Sequence, residues 1–246
     1  MKIKVCGMRD AENIQQVRAL GVDMIGLIFW PKSPRYVENI SSHAGLIPDL
    51  RNEDIAEGNV GEASYVGVFV DEMPQNVVTQ AYNYKLGYIQ LHGSESPVYI
   101  DNLKRTLIPD ILPDVKIIKA LSIEQASDIE KWREYKGHAD MLLFDTKCKS
   151  VGGSGKQFDW SFVGKYDGDI PFLLSGGIGP DDAERVNSFH HPMCVGIDLN
   201  SRFEQTFTDE EGKTTKIPGV KDVDKLRTFI SAISKTRQNS AKNVKK

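Results

Sequence analysis

The chain is short of long apolar segments and of excess charge of either sign. None of its 246 residues belongs to an apolar run that approaches the roughly 18 residues needed to span a bilayer. The first residues, MKIKVCGMRD, lack the apolar core and the small cleavage-site residues of a signal peptide. A formal charge of -3 disfavours nucleic acid or an anionic membrane as a partner. We therefore expect a cytoplasmic globular protein.

Cysteine is also scarce. The chain has 3 cysteines, Cys6, Cys148 and Cys194, which are far apart in sequence and form no C-x-x-C pair. An odd number of widely spaced cysteines argues against a disulfide framework and against a thiolate zinc site. We expect a reducing compartment and no metal site.

Eight short runs rich in Val, Ile and Leu recur along the chain, and most precede a segment with helical periodicity. The runs are near-continuous rather than alternating, as expected of strands that are buried on both faces. Strand then helix, repeated eight times, predicts an α/β fold of the (β/α)8 TIM-barrel type. Such a barrel occupies about 250 residues as one domain, although length alone also permits two small domains. The runs span residues 2–6, 24–29, 65–70, 88–91, 115–121, 141–144, 172–174 and 194–197.

Local signals refine this organisation. Helix starts are indicated at Asp10, Ser122 and Pro180. The polar stretches 51–62 and 205–216 exceed a minimal barrel, and we interpret both as surface insertions. Residues 1–234 form the predicted single barrel domain, while the basic segment 235–246, which contains no acidic residue, is expected to be disordered.

The residues that close the apolar runs are unusually polar. Cys6 is the last residue of the first run, and His92 and Asp145 directly follow the fourth and sixth runs. Because the carboxyl ends of all eight strands meet at one face of a barrel, these side chains are expected to share a pocket there. The strand ends therefore predict an active site.

Seven motifs occur in order between residues 2 and about 230: KVCG at 4–7, PKSPR at 31–35, QLHG at 90–93, LFDT at 143–146, GGSGKQFDW at 152–160, GG at 176–177 and PGVKD at 218–222. Together they resemble the pattern of the phosphoribosylanthranilate isomerase family. Any one of them would be weak evidence, but seven at successive strand ends are specific. The resemblance implies an Amadori rearrangement in tryptophan biosynthesis, which needs no cofactor. The implied partner is a small phosphosugar-anthranilate substrate, with other tryptophan-pathway enzymes as further candidates.

The family resemblance assigns the general base to Cys6 and the general acid to Asp145. Read without the motif, Cys6 is a small buried hydrophobe by default, and Asp145 is a helix cap or an ion-pair member. The reaction requires Cys6 to be ionised and Asp145 to be protonated. We expect desolvation to raise the pKa of Asp145, and positive charge from Arg9 or the helix beginning at Asp10 to lower the pKa of Cys6.

Substrate-binding roles follow from the same resemblance. Arg35 is expected to form a bidentate pair with the anthranilate carboxylate, its alternative being a surface arginine. Gln90 and His92 are candidates for the middle of the pocket, although a structural histidine is equally consistent with the pattern. The phosphate is assigned to glycine backbone at strands seven and eight, and to a loop that closes over the substrate. The remaining candidates are Gly153, Gly155, Gly176, Gly177, Asp198, Asn200 and Ser201.

The segment after strand eight departs from the family pattern. There the family reads Asp-[Val/Leu]-Ser-Ser-Gly-x-Glu, whereas this chain reads DLNSRFE at 198–204, with Arg202 in place of the glycine. An arginine there is able to meet the phosphate itself.

Two alternatives remain at this point. A sister phosphate-binding barrel, such as an indole-glycerol-phosphate synthase, would use Lys119 at the end of strand five as an acid or a Schiff-base amine. A non-catalytic phosphometabolite-binding barrel would keep Gly176 and Gly177 without the chemistry.

Overall fold

The structure is a computed structural model that describes residues 1–38, 63–146 and 160–243. Eight parallel strands close into a barrel in chain order, with β1 paired to both β2 and β8. This architecture confirms the predicted (β/α)8 barrel, and every predicted strand is present within two residues of its expected ends. The strands are β1 (Lys2–Val5), β2 (Met24–Ile28), β3 (Ser64–Phe69), β4 (Tyr88–Leu91), β5 (Lys116–Ile123), β6 (Met141–Thr146), β7 (Phe172–Ser175) and β8 (Cys194–Leu199).

Helices surround the barrel, and each one in the described ranges is too short or too polar to cross a membrane. The α-helices are α1 (Ala11–Arg18), α2 (Pro74–Asn83), α3 (Pro97–Leu107), α4 (Ala183–Ser188) and α5 (Val223–Asn243). Four 3-10 helices span Ala126–Tyr135, Val163–Lys165, Pro180–Asp182 and Ser201–Phe203. The predicted insertion 51–62 lies outside the described residues.

Two of the three predicted helix starts are confirmed. The Asp10 side chain accepts a hydrogen bond from the Asn13 backbone N–H at 2.7 Å, and Pro180 opens the turn that leads into α4. The prediction at Ser122 is wrong, because β5 continues past this residue in register with β6. The N-cap is Gln125, and Asp128 three residues later completes a capping box, its carboxylate accepting from the backbone N–H groups of residues 124 and 125.

The stretch 205–216 is exposed over most of its length, as predicted, but it is an antiparallel hairpin rather than an irregular loop. Its strands are β9 (Glu204–Thr208) and β10 (Thr214–Lys221). The backbone of α5 continues to Asn243, into the segment for which the sequence predicts disorder. The domain boundary at 234 stays a prediction.

The alternation of side chains along the strands divides the core into two layers. One small cluster fills the barrel interior, and a larger one lies between the strands and the helices. In β6, Met141 and Leu143 belong to the interior cluster, so the next inward position is Asp145. The barrel interior is therefore apolar at its centre and becomes polar at the carboxyl ends of the strands. The interior cluster comprises Met24, Val66, Ile118, Ala120, Met141, Leu143 and Leu173.

The closing seam between β8 and β1 supplies a test of this packing. A Cβ atom on Gly196 would lie 2.3 Å from the backbone oxygen of Lys2, which cannot move without disturbing the seam. We expect Gly196→Ala to destabilise the fold by about 1–3 kcal/mol in urea unfolding. Gly164→Ala is the matched control, because a Cβ there meets nothing within 4 Å. Equal unfolding free energies for the two variants would contradict the packing described.

Candidate active site

The carboxyl ends of the strands surround a cavity of about 190 Å³. It brings together residues that are far apart in sequence, and nine of the predicted site residues line it: Cys6, Gln90, His92, Asp145, Gly176, Gly177, Asp198, Asn200 and Ser201. Ile28, Val68, Ser175, Ile178 and Arg202 complete the lining. Gly153 and Gly155 lie outside the described residues. The polar strand ends therefore share one pocket, as the sequence predicts.

A short polar chain leads to Asp145 from β4. The Nε2 atom of His92 lies 3.4 Å from Oδ2 of Asp145, and Nδ1 of His92 lies 2.8 Å from Nε2 of Gln90. An amide nitrogen can only donate, so Nδ1 accepts and the proton of a neutral imidazole sits on Nε2, facing the carboxylate. Gln90 thereby fixes the tautomer of His92. Its own Oε1 is buried and has no hydrogen-bond partner among the described residues.

Cys6 is buried, at 3% exposure, at the first inward position beyond β1. Burial raises the pKa of the Cys6 thiol, and the opposing effects of the Lys4 and Lys221 ammonium groups do not cancel that increase. The expectation of a lowered pKa is therefore wrong, because desolvation of the thiolate outweighs the neighbouring positive charge. The source of that charge is also corrected: Arg9 is exposed and its side chain packs against Gly219.

Lys4 lies fully buried on the same face of β1 as Cys6. Its Nζ donates to Oδ1 of Asp198 at 2.8 Å, and Oδ2 of Asp198 accepts from the Ser175 hydroxyl at 3.2 Å. Burial alone would lower the pKa of Lys4, but Asp198 and Cys6 hold it above its ordinary value. Lys4 is consequently a permanent ammonium group beside the thiol, and Asp198 is committed to holding it.

A second buried ammonium group comes from the end of β10. Nζ of Lys221 donates to Oδ1 of Asn200 at 2.9 Å and lies 3.5 Å from Oε1 of Glu204. Burial lowers the pKa of Lys221 to about 8, although Glu204 and Cys6 act in the opposite direction. Lys221 is therefore charged at neutral pH but close to its titration range.

Arg35 is not among the described residues that line the cavity, but it lies beside the lining residue Asn200, where a carboxylate holds it. Its Nε and Nη2 atoms donate to the two oxygens of Glu204 at 2.6 and 2.8 Å. The backbone at Gly7 lies close to the Arg35 side chain. A Cβ on Gly7 would lie 2.6 Å from Cδ of Arg35 and 2.7 Å from Oδ1 of Asn200, so only glycine fits there. The bidentate pair expected with a ligand is thus formed inside the protein, and only the Nη1–Nη2 end of the guanidinium remains for a ligand.

Part of the cavity lining is glycine backbone. Gly176 and Gly177 have φ values of 99° and 69°, which glycine adopts without strain. A Cβ on Gly177 would meet nothing within 4 Å, so its backbone is open to the cavity. Ser201 and Asn200 face this turn from the end of β8. Adjacent backbone without side chains is the kind of surface on which an oxyanion reaches N–H donors.

Lys119 is not part of the cavity lining among the described residues. It alternates with the inward residues Ile118 and Ala120 and therefore points away from the barrel interior. Its Nζ donates to Glu95 Oε2 at 3.0 Å and to two backbone oxygens, including that of Gly93 at 2.7 Å. An amine satisfied in this way cannot attack a substrate carbonyl, which argues against the lyase alternative.

Three functional candidates had no role in the sequence analysis: Lys4, Lys221 and Glu204. Lys4 and Lys221 belong to the KVCG and PGVKD motifs, and both are buried in the structure. A lysine inside an otherwise apolar strand is costly to bury without a partner. That cost was the available signal for Lys4, although the sequence could not identify its partner.

A closed parallel barrel with a thiol, a carboxyl group and a glycine turn at the carboxyl ends of its strands places the chain in the class of (β/α)8-barrel enzymes. Within that class, the model of the N-(5'-phosphoribosyl)anthranilate isomerase family matches residues 3–232. The chain belongs to this family, which confirms the resemblance seen in the motifs.

Individual relatives agree with the family model. The N-(5'-phosphoribosyl)anthranilate isomerase of Parabacteroides distasonis is 42% identical over 95% of this chain and 93% of its own. The crystal structure of the Thermotoga maritima enzyme has a TM-score of 0.69 at 30% identity, covering 95% of this chain and 98% of that one. A complex of phosphoribosylanthranilate isomerase with reduced 1-(o-carboxyphenylamino)-1-deoxyribulose 5-phosphate has a TM-score of 0.66 at 27% identity, with coverage of 95% and 98%.

The buried ammonium groups make the Cys6 thiol testable by its chemical reactivity. In a background without the other two cysteines, we expect Lys4→Met to raise the pKa of Cys6 by about one unit and to slow its alkylation by iodoacetamide about tenfold at neutral pH. Lys221→Met should act in the same direction. Lys2→Met, on the same strand but only half-buried, is the control. An unchanged alkylation profile in both buried variants would show that these lysines do not act on the thiol.

Proposed function

We propose that this chain converts N-(5-phosphoribosyl)anthranilate into 1-(2-carboxyphenylamino)-1-deoxyribulose 5-phosphate with Cys6 as general base and Asp145 as general acid. The family supports an isomerase of tryptophan biosynthesis, in agreement with the prediction from sequence. The single observation that carries the assignment of roles is the cavity itself. It presents Cys6 from β1 and Asp145 from β6, which lie on different sides of a closed barrel.

The rearrangement begins at the sugar ring. Asp145 donates a proton to the furanose oxygen as the C1–O bond breaks, and the aniline nitrogen forms a Schiff base with C1. The Cys6 thiolate then removes the proton from C2, and the electron pair moves to give an enolamine. The enolamine then takes a proton at C1 from the Cys6 thiol and gives its C2 hydroxyl proton to the Asp145 carboxylate, which leaves a ketone at C2 and restores both groups. Substrate and product are isomers, so the proposal includes no oxidant, reductant or cofactor.

The thiolate needs electrostatic help in this scheme, because burial disfavours it. Lys4 is held in its charged form by Asp198, and Lys221 adds a second ammonium group. Both stabilise negative charge on Cys6. Asp198 therefore acts in the proposal by holding Lys4, and its place in the cavity lining does not require direct contact with substrate.

The two anionic ends of the substrate fit different parts of the site. We assign the anthranilate carboxylate to the Nη1–Nη2 end of Arg35, which Glu204 holds in place. The phosphate is assigned to the backbone of Gly176, Gly177, Asn200 and Ser201. Gly153 and Gly155 remain candidates for a loop that closes over the phosphate. Between these ends, the free Oε1 of Gln90 is an acceptor for a sugar hydroxyl, and His92 orients the acid.

The ligand of a solved relative supports a small phosphosugar-anthranilate substrate. Nucleic acid and membranes are not part of the proposal. Association with other tryptophan-pathway enzymes and a cytoplasmic location stay predictions. No observation in the described part of the chain favours the non-catalytic alternative.

Removing either proton-transfer group should stop turnover without abolishing binding. We expect Cys6→Ala and Asp145→Asn each to lower kcat by at least about a hundredfold, as is typical for general acid–base groups. Loss of the anthranilate-ribose fluorescence of the substrate measures turnover. Cys194→Ala is the matched control, since this half-buried cysteine lies outside the cavity. Near-normal kcat in either folded variant would disprove the assignment.

The pH profile follows from the raised pKa of Cys6. The base must be ionised and the acid protonated, so kcat/KM should follow a bell-shaped profile against pH, with the midpoint of its high-pH limb above the ordinary thiol pKa of about 8.5. Lys4→Met should move that midpoint further upward. A high-pH midpoint below the ordinary thiol value in the wild-type chain would contradict a thiol whose ionisation is limited by burial.

Arg35→Ala removes the proposed carboxylate contact. We expect a rise of about tenfold or more in KM for the anthranilate substrate, because a charge-assisted hydrogen bond is lost from both the ground and transition states. Glu204→Gln keeps the side-chain shape but removes the negative charge that holds the Arg35 guanidinium, so it should raise KM less. Arg227→Ala, on the exposed surface of α5, is the control. An unchanged KM in Arg35→Ala would remove this residue from the binding site.

A further inference from the structure

Arg202 lines the cavity at a position where the family pattern has glycine, and this position gives it a candidate role. It follows Ser201 in the short 3-10 helix after β8 and lines the same cavity as Gly176 and Gly177. Its side chain therefore lies beside the residues to which the phosphate is assigned.

The two arginines near the cavity differ in whether their guanidinium groups are paired with a carboxylate. Arg35 is committed to Glu204 through two hydrogen bonds. Within the part of the chain that the structure describes, Arg202 has neither an ion pair nor a hydrogen bond. The lining carboxylates are engaged elsewhere, Asp198 by Lys4 and Asp145 beside His92. As far as the described residues are concerned, the N–H donors of the Arg202 guanidinium are thus available to a ligand.

A glycine provides room for the guanidinium. A Cβ on Gly179 would lie 3.1 Å from Nε and 3.5 Å from Nη2 of Arg202, so the planar group lies close against the backbone of the β7–α4 loop. The neighbouring backbone limits the orientations of the guanidinium on the side of Nε and Nη2. A guanidinium restricted before binding loses less conformational entropy when it pairs with an anion.

We propose that Arg202 binds the phosphate of the substrate through its side chain, in addition to the backbone donors of the glycine turn. This inference rests on the proposed function, because it takes the phosphate end of the cavity from it. The guanidinium presents several N–H donors and a positive charge that match phosphate geometry. The substrate then lies between two arginines, with Arg35 at the carboxylate and Arg202 at the phosphate. Arg202 accordingly selects phosphorylated over unphosphorylated sugars.

Inorganic phosphate is the direct probe. At constant ionic strength, we expect Arg202→Ala to weaken phosphate binding about tenfold by calorimetry, the loss typical of one charge-assisted contact at a partly exposed site. The inhibition constant of phosphate and the KM of the substrate should rise by the same factor. Arg202→Lys should recover part of the affinity, since it restores the charge without the planar fork. Arg227→Ala removes one exposed positive charge far from the cavity and should change neither value.

Gly179→Ala offers a second approach that leaves the arginine present. The added Cβ should displace the guanidinium and weaken phosphate binding severalfold in the wild-type background, but not in Arg202→Ala. If Arg202→Ala binds phosphate within twofold of wild type while substrate is still turned over, the inference is wrong and the proposed function stands. If wild-type protein does not turn over the substrate, the proposed function fails, and calorimetry with phosphate still decides the role of Arg202.

Discussion

The site depends on the burial of two lysine ammonium groups beneath the mouth of the barrel. Lys4 has 0% and Lys221 0% exposure, and a buried charge is tolerated only with close acceptors. Those acceptors are Asp198 for Lys4, and Asn200 with Glu204 for Lys221. Because the acceptors stand at the end of β8 and in the hairpin that follows, satisfying the lysines fixes the backbone that lines the cavity.

The same arrangement links the base to the binding groups. The positive charges favour a thiolate on Cys6 that burial alone would suppress. Glu204 accepts from Lys221 and also holds Arg35, so one carboxylate connects the electrostatics around the thiol with the orientation of the arginine. We interpret the hairpin of β9 and β10 as a support for the site, since its outer part is exposed and its two base residues are buried.

Sequence predicted the barrel because strands buried on both faces leave continuous apolar runs, and it predicted the cavity because polar residues close those runs. The sequence did not predict interactions between residues that are distant in the chain, because such pairs leave no local sequence pattern. Lys4 and Asp198 are 194 residues apart, and Arg35 and Glu204 are 169 apart, so no spacing rule pairs them. The predicted direction of the Cys6 pKa failed for a related reason: the depth of burial depends on all eight strands. Ser122 resembled a cap because it directly follows the apolar run 115–121. The prediction failed because pairing with β6 extends β5 beyond that run.

A crystal structure of this chain with the reduced product analogue that a relative binds would test the central claim most directly. The account predicts Sγ of Cys6 within about 3.5 Å of the sugar carbon C2, the distance expected for a reacting pair. Asp145 should approach the sugar from the other side, with the phosphate at Gly177 and the carboxylate at Arg35. A ligand bound with its sugar distant from Cys6, or with its phosphate at Arg35, would contradict the account.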